Sequence, residues 1–128
     1  MNNNIKLLLV DDDARNLRIL EEMLEDDYLL ETASSAQEAL EKINGFEPHI
    51  LILDRMMPDL DGLELCRAIR QHDEYENLGI IITSGRARKS DQAVGLEAGA
   101  NYYLTKPFSE DDLLKLIKKT LRQHEAFV

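Results

Sequence analysis

Asp11, Asp12 and Asp13 follow the apolar run Ile5–Val10 without a spacer, and Asp54 follows Ile-Leu-Ile-Leu in the same way. Thr83 and Ser84 close a third apolar run, and Lys106, joined to Pro107, closes a fourth. Two acids directly after a buried strand are costly unless a cation or a base offsets them. Gathered in one place, Asp11, Asp12 and Asp54 would repel and raise one another's pKa values. A divalent cation and the Lys106 ammonium are the two available remedies. Oxygen ligands from few carboxylates suit Mg²⁺ (or Mn²⁺), which keeps several of its waters. Such a cation beside an ammonium and the Thr83 hydroxyl is equipment for phosphoryl transfer, with charge on the equatorial oxygens offset from three sides. Asp54 would then be the nucleophile, giving an aspartyl phosphate.

These residues meet only if the elements that carry them share one sheet edge. Strands are expected at Ile5–Val10, Tyr28–Thr32, Ile50–Leu53, Gly79–Thr83 and Asn101–Thr105. Helices alternate with them. Asp13 can cap the first, which runs to about Glu25 with Leu17, Leu20 and Leu24 on one face. Ser35 and Glu38 form a capping box for the second, with Ala36, Ala39, Leu40 and Ile43 on one face and Gly45 as its stop. Asp61 opens the third, which carries Leu63, Cys66 and Ile69. Ser90 begins a weak fourth that Gly99 closes, and Ser109 with Asp112 boxes the fifth. The alternation calls for an α/β fold, a doubly wound five-stranded parallel sheet in the order 2-1-3-4-5. In that order the carboxyl ends of the first and third strands flank the switch point, where ligands bind.

Composition sets the outer limits. The chain has 128 residues, with 15 basic against 25 acidic side chains and a net charge of −10. That length suits one domain, residues 1–128. Apolar residues make up 44% and mean hydropathy is −0.35, ordinary for a globular chain. The excess of carboxylates opposes a generic nucleic-acid surface, because phosphates repel it. No apolar run approaches the roughly 18 residues of a membrane span, and the N-terminal run is too short for a signal peptide, so a cytoplasmic location is expected. The single cysteine, Cys66, excludes an intrachain disulfide and reads as an inert buried thiol. His49, His72 and His124 are too widely spaced to form a ligand pair. Asp59-Leu-Asp61-Gly62 fails as a calcium loop, since Met57 and Ala68 fall where its first and last ligands belong.

Four segments together resemble the receiver domain of two-component response regulators over about Lys6 to Arg122. They are Leu-Leu-Leu-Val-Asp11-Asp12, Ile-Leu-Ile-Leu-Asp54-Arg-Met-Met-Pro58-Asp-Leu-Asp-Gly62, Ile-Ile-Thr83-Ser84-Gly85 and Tyr103-Leu-Thr-Lys106-Pro107-Phe108. The resemblance implies a flavodoxin-like receiver fold with Asp54 as phosphoacceptor. It makes Asp12 a direct Mg²⁺ ligand, Asp11 a helper often acting through water, and the Met56 backbone carbonyl a further ligand. Thr83 and Lys106 would contact the phosphoryl oxygens. Tyr103 holds the aromatic switch position, changing rotamer as Thr83 moves. The Lys106–Pro107 bond is expected to be cis. Arg55 departs from the commoner apolar residue after the phosphoacceptor.

The implied function is a signalling phosphoacceptor in a phosphorelay, not a turnover enzyme. A sensor histidine kinase or a histidine phosphotransfer protein would be the donor. A downstream effector domain or target protein would read the face made by the fourth helix, fifth strand and fifth helix, through which a phosphorylation-dependent homodimer could also form. Direct nucleic-acid or membrane binding by the domain is not expected. The alternative is the N-terminal receiver of a longer regulator, such as a diguanylate cyclase. An aspartate-nucleophile phosphatase fits less well, because its second acid position holds Met56. A dinucleotide site would need a glycine-rich first turn, and Asp11-Asp12-Asp13-Ala14-Arg15 has none.

Overall fold

Each strand of the sheet feeds a helix that returns the chain to the sheet's starting edge, and this alternation governs the computed structural model. It describes residues 4–57 and 61–125; the motif residues Pro58, Asp59 and Leu60 lie outside the described residues. The elements are β1 (Lys6–Val10), α1 (Ala14–Leu24), β2 (Leu29–Ala33), α2 (Ala36–Phe46), β3 (Ile50–Asp54), α3 (Gly62–Arg70), β4 (Gly79–Ser84), α4 (Lys89–Glu97), β5 (Tyr102–Thr105) and α5 (Glu110–Glu125). A single 3-10 turn, Asp73–Tyr75, precedes β4. All pairings are parallel, in the order β2-β1-β3-β4-β5.

Both faces of the sheet are covered, which is why its central strands read as unbroken apolar runs. Leu7, Leu9, Ile50, Ile52 and Ile81 face α1 and α5, meeting Leu17, Leu20, Leu24, Leu113 and Ile117. Leu8, Val10, Leu51, Leu53, Ile80 and Ile82 face the other way, toward Ala39, Ile43, Leu65, Cys66 and Ile69. Each such leucine or isoleucine contributes about 1.5–3 kcal/mol by leaving water. This core holds the strand ends still, and with them the polar residues that follow.

The expected caps form. Asp13 accepts from the Arg15 amide and Asp61 from the Leu63 amide. Ser109 and Asp112 exchange backbone-to-side-chain bonds of 3.2 and 3.0 Å. Ser35 accepts from the Glu38 amide, while Glu38 reaches back to the Ser34 amide at 2.6 Å rather than to that of Ser35.

Several boundaries differ from the sequence expectation. Gly45 does not stop α2, which runs to Phe46 and ends at Glu47 in the left-handed region (φ 55°). The following Pro48 bars Glu47 from continuing the helix, so proline rather than glycine sets the end. Leu40 is largely exposed, not part of the buried face. Tyr28 is buried against the α1 side of the core, and β2 begins one residue later. Arg88, not Ser90, precedes α4, without a side-chain cap. Asn101 stays outside β5 because its side-chain oxygen accepts from the Ile80 amide and from Arg70. No helix among the described residues is long and apolar enough to cross a membrane.

Candidate functional site

The carboxyl ends of β1 and β3 bring Asp11, Asp12 and Asp54 together. One carboxylate oxygen from each lies within 4.8 Å of the others. Val10 pairs with Leu53, so register alone sets the two acidic ends side by side. Asp11 and Asp54 are buried, and Asp12 is exposed at the rim.

Lys106 enters from the end of β5. Its backbone amide donates to the Ser84 carbonyl at 2.7 Å, and its Nζ lies 3.4 Å from Asp54 Oδ1 and 4.0 Å from Asp11 Oδ2. The Lys106–Pro107 bond is cis, as the sequence led us to expect. Thr83 is buried directly beside Asp54 in the β3–β4 register, and its carbonyl accepts from the Arg55 amide. The Met56 amide donates to Asp54 Oδ1 at 3.3 Å, which folds the loop after β3 over the carboxylate. Gly62 starts α3 against that loop. A Cβ there would come within 2.6 Å of the Asp54 carbonyl oxygen, so only glycine fits.

Asp11 is fixed from both sides. Its Oδ1 accepts from the Asp13 amide at 2.9 Å and its Oδ2 from the Asn16 amide nitrogen at 3.2 Å. Burial pushes its carboxyl above the usual aspartate range. The Asp54 charge adds to that rise, while the Asp13 amide, Lys106 and Asn16 oppose it. The cup gathers three carboxylates, oxygen donors of the kind that suit a divalent cation.

Two residues here escaped the sequence reading. Asn16 lies one turn into α1, and its signal was its place just beyond the Asp13 cap. Arg55 was noted only as a departure. Its side chain is buried, with Nη1 3.1 Å from the Tyr103 hydroxyl and 3.7 Å from Asp91 Oδ1 on α4. The Tyr103 hydroxyl also donates to the Arg86 carbonyl at 2.8 Å, so the phenol is held against the segment that leads from β4 into α4. Cys66 is a buried free thiol whose pKa burial pushes up, in keeping with an inert role. A cavity of about 740 Å³ lies at the opposite end of the sheet, beside His49, Gly79 and Asn101. It is lined without the gathered acids, so the chemistry points to the acidic cup instead.

A doubly wound sheet with this acidic cup and lysine at its switch point defines a phosphoacceptor signalling module. The chain belongs to the response regulator receiver domain family, whose model matches residues 7–118. It is 40% identical over 121 residues to response regulator MprA of Mycobacterium ulcerans, covering 94% of this chain and 51% of that protein. Chemotaxis response regulator CheY4 of Vibrio cholerae superimposes with a TM-score of 0.84 at 30% identity, covering 91% of this chain and 98% of that one. A protein described as a two-component response regulator with a GGDEF domain gives 0.90 at 28% identity, covering 97% of this chain and 52% of the other. The chain thus spans about half the length of the curated relatives it matches.

Proposed function

We propose that Asp54 accepts a phosphoryl group from a phosphohistidine, on a sensor histidine kinase or a histidine phosphotransfer protein. One observation carries this reading: the convergence of three carboxylates within 4.8 Å, with Lys106 Nζ 3.4 Å from Asp54. An Asp54 oxygen attacks phosphorus, the bond to the donor imidazole breaks, and the imidazole leaves with its electron pair.

The donor set fits Mg²⁺ or Mn²⁺. It is all oxygen, two of its three carboxylates are buried, and burial together with the nearby Asp54 charge disfavours the ionised form of Asp11 when no cation is there. Asp11, Asp12, Asp54 and the Met56 backbone carbonyl would hold the ion. Bound there, it supplies charge neutralisation for the attacking carboxylate and the phosphoryl oxygens. Asn16 and the Asp13 amide orient Asp11. Lys106 balances charge on the opposite side, and the Thr83 hydroxyl donates a hydrogen bond to a phosphoryl oxygen. Thr83 and Tyr103 then relay the change to the face formed by α4, β5 and α5. That face meets a downstream effector domain, a target protein or a second phosphorylated copy.

In this reading residues 1–128 form a single receiver domain, working in the cytoplasm without itself touching nucleic acid or membrane. Because the matched relatives are about twice as long, the N-terminal receiver of a longer regulator, a diguanylate cyclase among the options, remains the second reading.

Labelling with acetyl phosphate in Mg²⁺ tests the assignment. Wild-type protein should take up one phosphoryl group and Asp54→Asn none. Undiminished labelling of the variant would remove Asp54 as the acceptor. Continuous turnover of phosphate esters would favour an aspartate-nucleophile phosphatase instead.

A further inference from the structure

Arg55 is a buried guanidinium placed directly after the phosphoacceptor, and its contacts leave the acidic cup altogether. Its side chain is only 8% exposed, yet its hydrogen bonds run to the Tyr103 hydroxyl and to the Asp91 carbonyl (3.4 Å), with the Asp91 carboxylate 3.7 Å away. Its Nε is buried and has no partner among the described residues. Its backbone is fixed as well: the amide donates to Thr83 and the carbonyl accepts from Gly62. One residue therefore ties the loop after β3 to α4 and to the phenol on β5. The Tyr103 ring lies so close to α4 that a Cβ at Gly95 would come within 2.5 Å of it.

We infer that Arg55 is a positioning residue: it latches the Tyr103 hydroxyl and the start of α4 in the arrangement seen here, and so restrains the switch that phosphorylation of Asp54 throws. The inference rests on the phosphoacceptor reading above. Withdrawing the phenol from Arg86 and Arg55 gives up two hydrogen bonds. It leaves a buried cation, already short of one partner at Nε, with Asp91 alone. Stripping partners from a buried charge is costly, more so than losing a neutral surface bond. The latch therefore lowers the fraction of molecules competent to hold a phosphoryl group, and apparent affinity falls by that fraction.

The test is titration of the whole chain with beryllofluoride, a phosphoryl surrogate, in excess Mg²⁺, followed by amide NMR signals of α4 and β5. Arg55→Met, which keeps length and apolar bulk, should tighten apparent beryllofluoride affinity by about fivefold or more. Arg55→Leu, which also removes the guanidinium, should act in the same direction, and carries the prediction if Arg55→Met does not fold. In a Tyr103→Phe background the effect of either substitution should shrink to less than about twofold, because the latched hydroxyl is gone. Unchanged or weaker affinity in the Arg55 variants would overturn the latch, as would a gain that persists undiminished without the hydroxyl. Failure of the wild-type chain to bind beryllofluoride would overturn the phosphoacceptor reading itself, a result distinct from either.

Discussion

Replacing Asp12 by asparagine should stabilise the protein when divalent metal is absent, the reverse of what most substitutions do. The carboxylate of Asp12 lies within 4.8 Å of those of Asp11 and Asp54, and the described residues place no cation within ion-pair distance of it. At 4.8 Å two like charges repel by about 0.9 kcal/mol in water and about 3.5 kcal/mol at an effective dielectric constant of 20. Asp12 is exposed, so the lower figure applies and salt reduces it further. Summed over two neighbours, relief of about 1–2 kcal/mol is expected at low ionic strength, or roughly 3–10 °C in Tm for a chain of this length. The isosteric amide leaves packing unchanged. The assay is thermal unfolding by circular dichroism in EDTA at low ionic strength, repeated with Mg²⁺. Wild-type protein should gain about 2.7 kcal/mol at a hundredfold excess of Mg²⁺ over its Kd, and Asp12→Asn should gain far less. A variant less stable than wild type in EDTA, or equally stabilised by Mg²⁺, would refute the picture of strained carboxylates awaiting a cation.

Glu38 sets an acid-side dependence. The Ser34 amide holds its carboxyl below the ordinary glutamate range, so the folded chain binds fewer protons there than the unfolded one. Its contribution is complete above the unfolded value and is lost as pH falls through the folded value. Denaturant melts should therefore show wild type ahead of Glu38→Gln near neutrality, with the gap closing in acid. Leu51→Ala, in the fully buried middle of β3, should cost about 2–5 kcal/mol, measured by chemical denaturation. Cys66 should resist alkylation at neutral pH until the fold opens, because burial disfavours its thiolate; rapid labelling of the native protein would contradict its placement.

Much of this architecture was readable from local pattern. Apolar runs ending in Asp11, Asp54 and Lys106 gave the parallel sheet and its polar edge, and Asp13, Ser35, Asp61 and Ser109 announced their helices. What stayed hidden depended on residues far apart in the chain. The burial of Arg55 needs Asp91 and Tyr103, which lie 36 and 48 positions away. Asn101 looked like strand because its side-chain bonds to Ile80 and Arg70 leave no periodic trace. Gly45 misled because glycine so often ends helices, although here the neighbouring Pro48 decides the matter. Leu40 fits a helical repeat, yet the sheet beneath α2 does not reach it.

The most direct measurement is mass spectrometric mapping of the chain after incubation with acetyl phosphate and Mg²⁺. One added phosphoryl group is expected, carried by the peptide containing Asp54 and absent when EDTA replaces the metal. A phosphoryl group on another residue, or uptake indifferent to EDTA, would contradict it.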